Sequence, residues 1–231
     1  MSDLRSTLRD FEGHDDHEAY GGHDGHDGHD GHELSANLKN SGLPLTVQYK
    51  VQEAAQTLKD GGVIVCPTEG VYGLSAVVTN SAAITRVISM KKRALNKGLI
   101  VVAADVAMLE GIVNFSALSA DSLRLLHEKW PGHATFIVPT HMQINPLLTG
   151  GRNTLAVRVT AFPLLQALCR EAGGPLISTS ANISGSEPLQ TLEELRATFA
   201  SSVDYILDEP CQGLHKPSTI YDALSGAILR A

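Results

Sequence analysis

From about residue 44 onward, apolar residues recur in two alternating patterns, a helical spacing and short continuous runs. Val47, Val51, Ala54, Ala55 and Leu58 share one helical face, which predicts a helix over 46–59. Gly61-Gly62 stop that helix, and the wholly apolar run 63–66 follows as a strand. Asn80 can cap a second helix reaching Arg93, with Ala83, Ile84, Val87 and Ile88 turned inward. The next run, 99–103, is apolar at every position, as a strand covered on both faces must be. Further strands are predicted at 135–138, 155–159, 176–178, 205–207, 218–221 and 228–230. Helices are predicted at 121–129, 163–172 and 192–200, the last opened by a capping box in which Thr191 precedes Glu194 by three. Such alternation predicts an α/β fold with a mixed sheet and helices packed against it. Ligands of these folds gather at the carboxyl ends of the strands.

Residues 1–43 carry neither pattern. His-Asp-Gly triplets repeat from His23 to His32, with His14 and His17 just upstream. Apolar residues are too few there to offset the entropy of ordering, so a disordered tail is expected, followed by one folded domain over 44–231. Imidazoles and carboxylates at that density could hold zinc, nickel or copper, which makes His14, His17, His23, His26, His29 and His32 candidate metal ligands. The tail also corrects the impression of an acidic protein. Its first 40 residues hold ten acidic and three basic side chains, which account for the whole net charge of −7. The remainder is neutral, so overall charge does not argue against a local anion site.

Composition narrows the class further. The chain of 231 residues is 43% hydrophobic and long enough for one sizeable core. It contains no run of about 18 apolar residues, and its start is acidic and His-rich where a signal peptide is basic and then apolar, so a cytosolic protein is expected. Cys66, Cys169 and Cys211 are odd in number and widely spaced, which reads as reduced structural thiols. No GxxxxGK[ST] segment is present, which excludes a conventional P-loop ATPase.

Candidate chemistry falls at the strand ends. Ser178-Thr179-Ser180-Ala181-Asn182 places three hydroxyls and an amide where a buried strand should finish. Pro67-Thr68-Glu69 follows the first strand, Arg158 sits near the end of 155–159, and Ser218-Thr219 follows Lys216-Pro217. Lys91-Lys92-Arg93 and Lys97 flank the entry to 99–103, and cations with hydroxyls suggest a phosphorylated substrate. Each feature alone has a plain structural reading: a turn cap for Thr68, a core-edge ion pair for Arg158, a solvated helix terminus for the lysines.

Six ordered segments carry a family resemblance: GGVIVCPTEGVYGLS (61–75), KKRALNKGLIVVAA (91–104), WPGHATFIVP (130–139), TLAVRV (154–159), PLISTSAN (175–182) and PSTIYD (217–222). With them the chain resembles the YrdC/TsaC family of threonylcarbamoyl-adenylate synthases. The family's K-x-R and distant S-x-N fall here on Lys91 with Arg93 and on Ser180 with Asn182. Two positions depart from its pattern: Ala94 replaces the proline after K-x-R, and His133 replaces the second proline of P-G-P.

The resemblance implies a single YrdC-like domain with a twisted mixed sheet around a central cavity. It also implies a nucleotidyltransferase that makes L-threonylcarbamoyl-AMP and pyrophosphate from L-threonine, bicarbonate or CO2, and ATP, for the threonylcarbamoyladenosine modification of tRNA. On that basis Lys91, Arg93, Ser180 and Asn182 are the expected catalytic residues. Those four with Lys97 and Arg230 would bind ATP, Mg2+ would bridge the phosphates, and Thr68, Arg158, Ser178 and Ser218 would bind threonine. A tRNA-modifying threonylcarbamoyl transferase complex would receive the product, with tRNA or double-stranded RNA as a possible further contact and no membrane partner. Two rivals are a non-enzymatic RNA-binding module and a carbamoyl-transfer maturation factor of hydrogenases. The first lacks an aromatic stacking platform in this sequence, and the second lacks its CxxC pairs and further domains.

Overall fold

Alternation along each strand sorts side chains onto the two faces of one sheet. In the computed structural model, which describes residues 33–141, 144–189 and 191–231, Val63 and Val65 enter one apolar cluster and Ile64 and Cys66 the other. Val101 and Ala103 part from Val102 and Ala104 in the same way. Both clusters are covered by helices, which explains why these strands are apolar throughout.

The described helices are α1 (Ala36–Lys39), α2 (Leu45–Lys59), α3 (Ser81–Met90), α4 (Ala120–Lys129), α5 (Pro146–Thr149), α6 (Pro163–Ala172) and α7 (Leu192–Phe199). The strands are β1 (Ile64–Cys66), β2 (Gly73–Val77), β3 (Ile100–Ala103), β4 (Ala134–Pro139), β5 (Thr154–Val159), β6 (Leu176–Ser180), β7 (Tyr205–Ile206), β8 (Thr219–Asp222) and β9 (Ile228–Arg230). They form one sheet in the order β7-β1-β2-β6-β3-β5-β4-β8-β9. The sheet is mixed: β1/β7, β3/β5 and β4/β8 run parallel and the other neighbours antiparallel. Residues of α1, α2 and α6 bury one face, and residues of α3, α4 and α7 the other.

The expected mixed α/β architecture is therefore present, and it differs in detail: the short helix α5, for one, was not expected. Strand β2 was not foreseen, because Gly73-Leu74-Ser75-Ala76-Val77 has small residues where a strand signal needs β-branched ones. It lies between β1 and β6 and is almost wholly buried. Helix α3 stops at Met90 rather than Arg93. The Lys92 N–H bonds to Ser89 O (2.9 Å) and the Arg93 N–H to Ile88 O (3.0 Å), with Lys92 at φ +49°, so a lysine holds the left-handed position of a Schellman turn. Finally, the compact unit begins at Leu34, not at residue 44. Leu38 on α1 is fully buried against α2 and α6, and the Ser35 hydroxyl both caps α1 and donates to Glu171. The His repeats, from His14 to His32, lie outside the described residues. No helix among the described residues is long and apolar enough to cross a membrane.

Candidate active site

The turn that ends α3 sends Lys91 inward and Arg93 toward the sheet. Lys91 is 1% exposed, and its three N–H groups meet three oxygens: Ser180 O, Asn182 O (2.9 Å) and Asn182 Oδ1 (2.7 Å). Burial, and then the neighbouring Arg93, push the Lys91 ammonium down to about 8. Asn182 is likewise occupied: Oδ1 also accepts from Ser180 Oγ (2.8 Å), and Nδ2 donates to Ser186 O. Lys91 and Asn182 thus fix the loop after β6, with their polar atoms spent on one another.

The residues they support open into a cleft of about 690 Å³, counted out to its solvent mouth. Thr68, Tyr72, Arg93, His133, Arg158, Ser178, Ser180, Lys216, Ser218 and Arg230 line it. Spacing by two on β6 puts Ser178 and Ser180 on one face. Arg93 is steered by a bond from Nε to Gly98 O (3.0 Å), and Arg230 Nη2 donates to Ser218 O (2.8 Å). The Thr68 hydroxyl donates to Val71 O (2.7 Å), leaving oxygen lone pairs for a ligand donor. Ser218 shares a 2.7 Å hydrogen bond with the buried hydroxyl of Thr135. Seven of the expected residues therefore converge: Thr68, Arg93, Arg158, Ser178, Ser180, Ser218 and Arg230. Lys91 and Asn182 stand one layer behind, and Lys97 is exposed on the turn before β3, outside the cleft lining.

Arg158 anchors the cleft floor. Its guanidinium is buried, with Nη1 2.8 Å from Glu69 Oε2, and Thr160 Oγ1 donates to the other carboxylate oxygen (2.6 Å). The ion pair is close but not aligned as a hydrogen bond, and Arg158 Nε is buried with no partner. Burial pulls the guanidinium below its ordinary value while Glu69 opposes that shift, so it stays cationic. The irregular segment 209–217 closes one wall. Gln212 N bonds to Thr68 O (3.1 Å), Leu214 N to Glu69 O (3.0 Å), and Tyr72 Oη to Glu209 O (3.1 Å). Gly70 makes this approach possible, since a Cβ there would fall 1.9 Å from Lys216 O.

Glu69, His133, Thr160 and Lys216 were not singled out from the sequence as site residues. Glu69 carried a signal, because it sits in the Pro67-Thr68-Glu69 cluster at the end of β1. Its partner across the sheet did not, since Thr160 lies 91 residues away.

Three arginines and a lysine around hydroxyls make a site for an anionic ligand, and known proteins bear on which one. The model of the Sua5/YciO/YrdC family, described as "Telomere recombination", matches residues 56–231. The chain belongs to this family. A threonylcarbamoyl-AMP synthase of Stenotrophomonas maltophilia is 44% identical over 184 residues, covering 80% of this chain and 99% of that protein. Among solved structures, the Sua5 protein of P. abyssi complexed with L-threonine is similar at a TM-score of 0.70 and 28% identity. That likeness covers 75% of this chain and 51% of the Sua5 chain, so the present chain spans about half of its length. Full-length HypF, in a phosphate- and nucleotide-bound form, is similar at a TM-score of 0.67 but only 19% identity, over 28% of its length, which shows a shared fold alone.

Proposed function

We propose that this chain is a threonylcarbamoyl-AMP synthase and that the cleft holds L-threonine and ATP side by side. The observation that carries this reading is the convergence of Arg93, Arg158 and Arg230 on one cleft with Ser178 and Ser180 between them. The 44% identity to a threonylcarbamoyl-AMP synthase over nearly all of that protein's length supports it, whereas the HypF likeness extends to fold only.

In the proposed reaction the neutral threonine amine adds to CO2 and gives up one proton to solvent, or adds to bicarbonate with loss of one water, and either route gives an N-carboxylate. One oxygen of that carbamate attacks the α-phosphorus of ATP, the new O–P bond forms, and the bond to the β-phosphate oxygen breaks to release pyrophosphate. The nucleophile is already an anion, so the protein's work is positioning and charge neutralisation. Arg158, with Nη1 beside Glu69 and Nε unpartnered, has donors of its planar fork left for the threonine carboxylate. Ser178, Thr68 and Ser218 are hydroxyls available to the amine and side-chain hydroxyl. Arg93 and Arg230 face the phosphates, and Ser180, whose proton goes to Asn182 Oδ1, presents its oxygen lone pairs to the cleft between the substrates.

Lys91 and Asn182 act through Ser180 by fixing the loop on which it sits, and Lys97, outside the cleft lining, would add only long-range positive charge for ATP. Magnesium would enter with the nucleotide and would neutralise charge on its phosphates. The adenylate would then pass, in the cytoplasm, to the transferase complex that modifies tRNA. The test is pyrophosphate release from ATP, which is expected to require both L-threonine and bicarbonate. Release that ignores either one contradicts the proposal.

A further inference from the structure

His133 stands where the resemblance leads one to expect a proline, and the structure gives its ring two partners. The turn that carries it is pinned to the end of β5 by a bond from Gly132 N to Val159 O (2.8 Å) and is braced internally by one from Trp130 Nε1 to Ala134 O (2.8 Å). The ring is thereby set beside Arg158. Its Nδ1 lies 3.3 Å from Arg158 Nη1, and its Nε2 lies 3.0 Å from Lys216 O. A guanidinium can only donate and a carbonyl can only accept, so the pair of contacts fixes the protonation: Nδ1 bare, Nε2–H.

We propose that His133 is a positioning residue for Arg158, its neutral ring tying the 209–217 segment to the guanidinium that grips the threonine carboxylate. The proposal rests on the threonine-binding reading given above. It follows that a proton on Nδ1 would point at Arg158 Nη1 and replace a hydrogen bond by the repulsion of two cations. The Nε2 bond to Lys216 would survive, so the segment stays closed while Arg158 loses its lateral hold. The charged groups around the ring are Arg158 on β5, Glu69 after β1, Lys216 at the segment's end, and Arg230 and Arg93 across the cleft. Burial and Arg158 hold the imidazole below its ordinary value, against the opposing pull of the Lys216 carbonyl and Glu69. The binding-competent neutral form therefore prevails at neutral pH, and the coupling is felt on the acid side.

The experiment measures L-threonine binding by calorimetry at a series of pH values, together with NMR titration of the His133 ring, identified by its absence from a His133→Asn spectrum. In the unsubstituted protein the affinity is expected to fall about tenfold on the acid side of the ring's midpoint, the cost of one hydrogen bond to a charged group. His133→Asn keeps an acceptor that cannot titrate, so its affinity, about threefold weaker at neutral pH, should show no such fall. His133→Ala should be weak at every pH. The NMR is expected to report an Nε2–H ring with a midpoint below 6.5. An Nδ1–H ring, or a His133→Asn profile that tracks the unsubstituted one, overturns the proposal. Absence of threonine binding at any pH with an Nε2–H ring strikes the substrate reading, and the proposed positioning for threonine falls with it. In that case the NMR still shows that the ring contacts are sound.

Discussion

The divided work of Lys91 and Arg93 is the most consequential feature at the scale of single residues. Both belong to one expected cationic motif, yet the left-handed Lys92 between them turns one inward and the other to the cleft. Because Lys91 falls to about 8, its ammonium is lost near pH 8 rather than near 10.5, and with it one of three N–H donors to the β6 loop. The KM for ATP is therefore expected to climb as pH rises from about 7 to about 9. Steady-state kinetics on Lys91→Met, which cannot titrate, should show a KM that is high and flat over the same range. A climb that persists in Lys91→Met assigns the titration to another group. The sign for folding is opposite. A depressed lysine binds its proton less readily in the folded state, so its contribution to stability improves between pH 8 and 10.5. On β6, Ser178→Ala should mainly raise the threonine KM and Ser180→Ala the ATP KM. Equal defects in both would erase the division of substrates.

Among the elements, those with strong periodicity were legible in the sequence and those defined by long-range partners were not. Helices α2, α6 and α7 lie within a residue or so of their expected bounds because their apolar spacing, or a capping box, marks them locally. Strand β2 escaped because a buried Gly-Leu-Ser-Ala-Val strand is specified by β1 and β6 on either side, not by its own propensity. The cleft behaves likewise. Its hydroxyls and arginines were visible as clusters at strand ends, but the Arg158–Glu69 pair, the Thr160 bond and the closing segment depend on contacts across the sheet. That pair yields a stability prediction. Glu69→Ala leaves a buried guanidinium uncompensated and should cost about 3–5 kcal/mol. Chemical denaturation checks this, and a loss below about 1 kcal/mol would mean that water reaches Arg158.

For the molecule as a whole, the domain starts earlier than its repetitive first residues suggest. Leu38, one of few apolar side chains before residue 43, is fully buried between α2 and α6. Leu38→Ala should lower stability by about 2–5 kcal/mol without changing the site, and thermal unfolding with threonine binding reads both quantities. The completed cleft must also choose between amino acids differing by one methyl group. A single methyl supplies only about 1–3 kcal/mol, so serine should be used roughly 10–200-fold less well than threonine. The account as a whole stands on the chemistry assigned to the cleft. Incubation of the protein with ATP, magnesium, L-threonine and labelled bicarbonate tests it most directly. The account predicts label in a threonine-containing adenylate, formed with equimolar pyrophosphate and lost in Arg158→Ala. Folded protein that leaves all the label in bicarbonate would contradict it.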